Sequence, residues 1–243
     1  VSTDQLFAAC KSGKVNAVDQ LLATLTEIDL NTIKWSISQP RSGELTLLAL
    51  AASEGHAEIC QRLLDKGADV NHLSKEINGH TPLYVACEFG HLKVVEKLLA
   101  VDGVQVNQAN ANGWTPLNLA CQRGYLQVVK MLLAVDGIQV NQASVNGWTP
   151  LICACWKDHS KIVKLLLAAG GIQVNQADDE GATPLWSACQ EGHSKVAEML
   201  LAVDGIQANQ ADSNGFTPVM AAISNSHIDI AIQLFQHGIG HNN

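Results

Sequence analysis

The sequence predicts an all-α protein, a solenoid of stacked helix–turn–helix units joined by β-hairpin loops. First, a Thr-Pro pair recurs every 34 residues, and a fixed period of this size is typical of stacked-repeat proteins. Second, each period holds two short apolar segments separated by a helix-breaking residue, usually glycine. Third, each period returns through a segment rich in Asn and Gly, which favour turns. The pairs begin at Thr81, Thr115, Thr149, Thr183 and Thr217.

The unit at residues 113–146 shows how each element arises. Thr115 can cap a helix whose first residue is a proline, which has no amide hydrogen to satisfy there. A short helix is predicted from Leu117 to about Gln122, and Gly124 ends it. A second helix is predicted from Leu126 to Ala134, with valines and leucines on one face. One unit alone leaves apolar surface on both sides, so it needs neighbours.

The motif T-P-L-x-x-A-x-x-x-G-H…LL…V-N resembles the ankyrin repeat, and the copies in register cover nearly all of the chain. The resemblance implies a single domain over residues 1–243 with about seven repeats, of which the first and last have diverged. The predicted repeats are 1–42, 43–78, 79–112, 113–146, 147–180, 181–214 and 215–243. The family's His after T-P-L is replaced by Tyr84, Asn118, Ile152, Trp186 and Met220. Because that His ties neighbouring backbone, we expect looser hairpin ends than usual.

Two segments depart from the regular pattern. The long connection from Asn31 to Gly43 alternates apolar and polar residues around Trp35, which predicts a hairpin projecting from the row of repeats. It is either a packing loop or a contact arm centred on Trp35. In the last repeat, Ile232 stands where other repeats carry Glu or Lys, with Phe235 nearby. Either a further repeat, another domain or a second copy covers this end, or the end packs on its own tail.

Composition limits the classes of partner. The formal net charge of −8 argues against nucleic acid or an anionic membrane and favours a neutral or basic protein. No membrane-length apolar run or signal peptide is visible, so we expect an intracellular, cytoplasmic protein. The chain starts at Val1 rather than Met, which suggests an excised piece or a processed product. We expect a monomer in isolation.

The cysteines predict a reducing compartment. Five of them share one repeat position, and stacked helices lie roughly 8–10 Å apart, which is too far for disulfides in series. We therefore interpret them as small buried residues. These cysteines are Cys10, Cys87, Cys121, Cys155 and Cys189.

No residue pattern predicts catalysis, a metal or a cofactor. The histidines after the helix break recur at the repeat spacing, too far apart to share one metal ion, so we interpret them as structural. They are His56, His91, His159, His193 and His227. The pair Cys153 and Cys155 does not face one direction on a helix. The acidic run at residues 178–180 is expected to be a solvated hairpin tip.

Binding residues are predicted at positions that vary between copies, because the needs of the fold are the same in each copy. One such position precedes Thr-Pro, and the other ends the first helix; the ankyrin resemblance implies that both line an inner, concave groove. Aromatic residues favour binding hot spots. The predicted partner-binding residues are His80, Phe89, Trp114, Arg123, Trp148, Trp156, Lys157 and Phe216. Glu88, Asp179, Glu180 and Glu191 add negative charge, and Trp186 is predicted to pack internally.

The leading hypothesis is a non-catalytic scaffold whose groove binds a partner protein or peptide. The alternative is a targeting or substrate-recruiting module of a larger enzyme, or of a bacterial effector delivered into the host cytoplasm. A structural spacer that associates through its end repeats is the third hypothesis, and the oligomeric state would distinguish it.

Overall fold

The computed structural model describes residues 3–24, 30, 34–37, 43–74 and 78–240. These ranges contain fourteen helices arranged as successive pairs and one pair of short strands. The predicted all-α repeat fold is therefore confirmed. The chain divides into two compact units, Val1–Pro116 and Leu117–Asn243, each of which has its own stack of helices. The single domain and the number of repeats remain predictions.

The first unit begins with a helix pair, continues through the strand pair and ends with two further helix pairs. The first helices of successive pairs contact one another, α1 with α3 and α3 with α5, and the second helices do the same. Its elements are α1 Thr3–Lys11, α2 Val15–Thr24, β1 Lys34–Ile37, β2 Gly43–Thr46, α3 Leu47–Ser53, α4 Ala57–Asp65, α5 Pro82–Phe89 and α6 Leu92–Leu99.

The second unit contains four helix pairs that stack in the same way, with α11 between α9 and α13, and α12 between α10 and α14. Fully buried leucines such as Leu132 and Leu151 fill its core. Its helices are α7 Pro116–Arg123, α8 Leu126–Leu133, α9 Pro150–Trp156, α10 Ser160–Leu167, α11 Pro184–Glu191, α12 Ser194–Leu201, α13 Pro218–Ser224 and α14 Ile228–Gly240.

The Thr-Pro pairs start the first helices in the predicted way. Thr149 is the N-cap of α9, and its Oγ1 accepts a hydrogen bond of 3.1 Å from the amide of Ile152. Thr46 caps α3 without a following proline. The break after α9 occurs at Asp158, whose positive φ of 55° matches the left-handed conformation of the glycines at this position in other repeats.

The two strands pair around Trp35 as predicted, while the projection of this hairpin from the row of repeats remains a prediction. β1 and β2 pair antiparallel, with Trp35 opposite Leu45. The side chain of Trp35 lies outside the described residues, so its role as a contact arm remains a prediction. In the second unit the hairpins close through tight turns rather than ladders of strands; for example, the amide of Ser144 donates to the carbonyl of Trp148 at 3.0 Å.

Five recurring histidines each tie their helix pair to the preceding pair of the same unit. The Nε2 of His159 donates to the carbonyl of Gln122 at 3.1 Å, and its ring lies 2.6 Å from where a Cβ on Gly124 would stand. Only a residue without a side chain leaves room for this contact without displacing the ring. The predicted structural role of these histidines is thereby confirmed. The same bond joins His56 to Lys11, His91 to Ser53, His193 to Trp156 and His227 to Gln190.

The expectation of loose hairpin ends is wrong for three repeats, because other side chains replace the missing family histidine. Asn118 is fully buried, and its Nδ2 donates to the carbonyls of Gln142 and Trp148 at 3.3 and 3.0 Å. Trp186 uses its indole Nε1 to reach the carbonyl of Phe216 at 2.9 Å, as expected of a packing residue. In the first unit, the hydroxyl of Tyr84 accepts from Asn110 at 2.9 Å.

A second set of hydrogen bonds, made by asparagine side chains, joins the loops that follow the second helices of neighbouring repeats. Asn175 donates through Nδ2 to the carbonyl of Gly205 at 2.8 Å, and its Oδ1 accepts from the amide of Gln207 at 2.9 Å. Asn141 makes the same pair of bonds to the loop that follows it. Asn71 does so in the first unit. One amide side chain thus fixes each of these loops to the next.

All seven cysteines are buried and unpaired, which confirms the predicted burial of the five that share one repeat position. Loss of hydration on burial raises the pKa of the Cys10, Cys60 and Cys189 thiols from 9.0 to about 12. Thiols with such high pKa values remain protonated near neutral pH. They therefore behave as small apolar side chains rather than as nucleophiles.

Candidate functional site

The most developed cluster among the predicted binding residues is a pair of indoles in the second unit. The ring centroids of Trp148 and Trp156 lie 4.9 Å apart at an interplanar angle of 89°, an edge-to-face contact. The Nζ atom of Lys157 lies 3.9 Å from the centroid of Trp156, within the range of a cation–π interaction. Both indoles are half-buried and Lys157 is exposed. The cluster therefore presents aromatic surface beside a positive charge.

Backbone hydrogen bonds hold Trp148 in place. Its amide donates to Ser144 Oγ at 3.2 Å, and its carbonyl accepts from Asn118 Nδ2 and from the Ser144 amide, both at 3.0 Å. Trp148 lies just before the capping residue of α9, at the point where the hairpin becomes helix. The indole is consequently attached to backbone that is fixed on both sides.

Trp156 is fixed at the opposite end of α9, of which it is the last residue. Its carbonyl accepts the hydrogen bond of 3.1 Å from His193 in the next helix pair. The two indoles thus come from opposite ends of one repeat segment, and each is attached to hydrogen-bonded backbone. Such preorganisation lowers the conformational entropy that binding would otherwise cost.

The other predicted residues of the second unit are exposed. Arg123 is the last residue of α7, and the ring of Phe216 is 46% exposed while its carbonyl is bound by Trp186. Asp179, Glu180 and Glu191 are also exposed. The structure brings Trp148, Trp156 and Lys157 into contact, and it places these others on accessible surface.

The predicted residues of the first unit differ in accessibility. Phe89 is 48% exposed, and its ring centroid lies 6.1 Å from that of His91. Trp114 is half-buried. His80 is only 7% exposed and stacks on Tyr84 with ring centroids 4.3 Å apart, so little of its surface is available to a partner. Glu88 is also buried.

The hairpin tip at residues 178–180 is built around one carboxylate. Oδ1 of Asp178 accepts hydrogen bonds from the amides of Glu180 and Ala182 at 3.0 and 2.8 Å. Partial burial is the largest influence on this carboxyl group, and it raises the pKa of Asp178 above its usual 3.8. Asp178 therefore has a structural part in the turn, while its acidic neighbours are solvated.

Sequence reasoning predicted a structural role for His193 but did not connect Asn118, Ser144 or His193 with the indole pair. The signal for Asn118 was its place at the family's histidine position, since an amide can also donate to a carbonyl. Within the described ranges, no group of three or more His, Cys, Asp or Glu residues is placed to hold a metal ion. Among the same residues, no helix is long and apolar enough to cross a membrane.

Short segments of this chain are similar to parts of much larger proteins. An E3 ubiquitin-protein ligase, XBAT33 of Arabidopsis thaliana, is 50% identical over 52 residues, which are 21% of this chain and 10% of that protein. The palmitoyltransferase Hip14 of Drosophila melanogaster is 41% identical over 66 residues, 27% of this chain and 10% of that protein. A human transient receptor potential cation channel, subfamily A member 1, is 35% identical over 95 residues, 39% of this chain and 8% of the channel.

The matched part of this chain thus spans a tenth or less of each of these relatives. The family model described as "Ankyrin repeats (3 copies)" matches residues 6–110, 97–178 and 171–243, which together cover nearly the whole chain. The paired helices, the Thr-Pro caps and the ties between repeats agree with that match. The chain belongs to the ankyrin-repeat family.

Proposed function

We propose that this chain is a non-catalytic interaction module that binds a partner protein or peptide through the face bearing Trp148, Trp156 and Lys157. Ankyrin repeats are protein–protein interaction modules. The observation that carries the proposal is the half-buried pair of indoles, which lies on rigid backbone and still offers aromatic surface. Large, rigid aromatic side chains contribute most to binding when a partner covers them.

The cluster combines aromatic surface with a positive charge, so it favours a partner that offers both an apolar side chain and a hydrogen-bond acceptor. An apolar side chain of the partner would cover Trp148 and Trp156, and a carboxylate or carbonyl oxygen would accept from the Lys157 ammonium group. Arg123 and Phe216 supply further contacts in the second unit. In the first unit Phe89 and Trp114 are the corresponding candidates. His80 supports Tyr84 by stacking, so we assign it little direct contact.

The partner that we propose is a neutral or basic protein segment, such as an extended peptide, a loop or a helix, in a reducing compartment. The net charge of −8 disfavours nucleic acid, and seven unpaired thiols suit a reducing environment. Lys157 provides a local positive charge on a chain whose formal net charge is −8. It would select the register of the partner rather than attract the partner over long distances.

Affinity capture with matched variants tests this assignment. The chain, its Trp148→Ala/Trp156→Ala variant and a Val145→Ala control would be used as baits, and the captured proteins would be compared quantitatively. Val145 is also an exposed apolar residue of the second unit, so the control removes apolar surface outside the indole cluster. We expect the double variant to lose specific partners at least tenfold while the control retains them. Equal capture by all three baits would refute the site.

A second function, as the recruiting module of a larger enzyme or of a bacterial effector, is favoured by the relatives. Two of them are named as enzymes, and the matched segments are a tenth of each. In that case the same indole cluster would hold the substrate protein or target. The full open reading frame around this segment tests the alternative, since it either encodes a catalytic domain or does not.

A further inference from the structure

A cleft of about 430 Å³ lies between α10 and α12, the second helices of two neighbouring repeats in the second unit. The half-buried side chains of Leu167 and Met199 form its apolar part. Three exposed lysines also line it, namely Lys161, Lys164 and Lys195. The cleft therefore joins apolar surface to three positive charges, and we call it the lysine cleft.

These lysines concentrate positive charge in a unit that is otherwise acidic. They are half of its basic residues, and the others are Arg123, Lys130 and Lys157. Among the described residues, none of the three cleft lysines forms an ion pair or a side-chain hydrogen bond. Glu198, the acidic residue of α12, is exposed but does not line the cleft. The three ammonium groups thus remain available to an acidic partner.

The next repeat shows how a carboxylate fits beside a serine at this position. There the hydroxyl of Ser194 donates to the carboxylate of Asp229. Ser160 and Lys195 stand one period earlier, so a lysine replaces that carboxylate in the lysine cleft. Within the described part of the chain, the hydroxyl of Ser160 makes no hydrogen bond to protein. A carboxylate from a partner could accept from Ser160 as Asp229 accepts from Ser194.

We propose that the lysine cleft binds an acidic peptide segment of a partner protein, one that carries an apolar side chain among its carboxylates. The apolar side chain lies on Leu167 and Met199, and the carboxylates accept from the lysine ammonium groups and from Ser160. Exposed charges beyond about 8 Å are largely screened at physiological salt, so the nearby lysines outweigh the net charge of the chain. A nucleic-acid backbone offers negative charge without an apolar side chain, so the cleft favours a peptide.

The lysine cleft is separate from the indole cluster. It lies on second helices, whereas Trp156 ends the first helix α9 and Trp148 precedes the N-cap of that helix. None of Trp148, Trp156 and Lys157 lines the cleft. This inference therefore goes beyond the proposed function, and either proposal can fail without the other.

Fluorescence anisotropy of the full chain with a labelled peptide, Glu-Glu-Leu-Glu-Glu-Leu-Glu-Glu, tests the proposal. The same peptide with Gln in place of every Glu is the control ligand. We expect the acidic peptide to bind at least tenfold more tightly than the neutral one at about 50 mM salt, and this preference to shrink at about 300 mM, because salt screens exposed charges. Equal binding of the two peptides would overturn the proposal.

Matched variants locate the site on the chain. The test variant is Lys161→Gln/Lys164→Gln/Lys195→Gln. The control removes the same charge from exposed lysines of the first unit, as Lys14→Gln/Lys66→Gln/Lys93→Gln. We expect at least tenfold weaker binding by the test variant and binding within twofold of the original by the control. Both should keep the original unfolding midpoint, because all six side chains are exposed. Equal losses of affinity would indicate a long-range effect of net charge and would overturn the site.

Ser160→Ala and Ser194→Ala form a second matched pair. The first should weaken binding of the acidic peptide about threefold, since its hydroxyl donates to the bound carboxylate. The second should leave binding unchanged, because Ser194 already donates to Asp229. Equal effects of the two substitutions would contradict the part assigned to Ser160.

Competition distinguishes the peptide from other anionic ligands. Unlabelled acidic peptide should displace the labelled one, whereas double-stranded DNA and vesicles of anionic phospholipid should do so at least tenfold less effectively at equal concentration of negative charge. More effective displacement by DNA or by vesicles would assign the lysine cleft to that ligand and would overturn the proposal.

Discussion

Alkaline pH should destabilise this protein through its buried thiols. Burial raises the pKa of Cys10, Cys60 and Cys189 from 9.0 to about 12, so the folded chain holds these protons more tightly than the unfolded chain does. The resulting stabilisation is fully present below pH 9. It is lost as the pH rises from 9 towards 12, because the unfolded chain releases the protons first.

The size of the effect follows from the shift. Between pH 9 and 12, each such thiol lowers the free energy of unfolding by about 1.4 kcal/mol per pH unit. At pH 10 these three thiols together remove about 4 kcal/mol, a large part of a typical total of about 5–15 kcal/mol. Burial also raises the pKa of the Cys87, Cys121, Cys153 and Cys155 thiols, which adds to the loss.

Denaturant unfolding of the chain and of its Cys189→Ala variant at pH 7 and pH 10 would measure the contribution of one thiol. The two proteins differ only at residue 189, so contributions from every other group cancel in the difference. We expect the variant to be less stable at pH 7, because a buried atom is removed, and to regain about 1 kcal/mol relative to the original chain at pH 10. A difference in free energy that stays constant between these pH values would refute the argument.

Three further substitutions test the ties and the hairpin tip. Gly124→Ala should destabilise by about 1 kcal/mol more than the control Gly205→Ala in thermal unfolding, since both have positive φ but only Gly124 faces a ring, that of His159; equal losses would count against the tie. Asn118→Ala should cost about 2 kcal/mol in denaturant unfolding, because the fully buried Asn118 side chain and its hydrogen bonds to the Gln142 and Trp148 carbonyls are lost; a loss below about 0.5 kcal/mol would contradict this. Asp178→Asn should keep the turn, and the original chain should gain stability relative to it as the pH falls towards 3.8, because the raised pKa of Asp178 favours the protonated folded state; the opposite slope in urea midpoints would exclude burial as the dominant cause.

The helices were predictable because their signals are local and repeated. The helix expected from Leu117 to about Gln122 runs from Pro116 to Arg123, and the one expected to end at Ala134 ends at Leu133. Thr caps, Pro at the first turn and residues in the left-handed conformation define such boundaries within a few residues of sequence. Because the sequence repeats every 34 residues, the same helix boundaries recur along the chain.

The side-chain ties and the accessibility of individual residues were less predictable. His80 and Trp148 share one repeat position, yet His80 is buried against Tyr84 while Trp148 meets Trp156. The difference comes from the neighbouring side chains. A prediction made from repeat position alone treats these neighbours as the same in every repeat. The expected loosening of the hairpin ends failed for the same reason, because Asn118 and Trp186 replace a histidine by different chemistry.

The contact between His159 and Gln122 has a consequence for how such a chain can change its length. The two residues lie 37 positions apart in the sequence, and the hydrogen bonds made by His193 and His227 span the same number of positions. Copying or deleting a segment of one whole period leaves every imidazole with a carbonyl to bind. An insertion or deletion of any other length would move the histidine donors out of register with their carbonyl acceptors. Recombination that adds or removes whole repeats is thus tolerated. The hydrogen bond between repeats therefore fixes the length by which the gene can be extended or shortened.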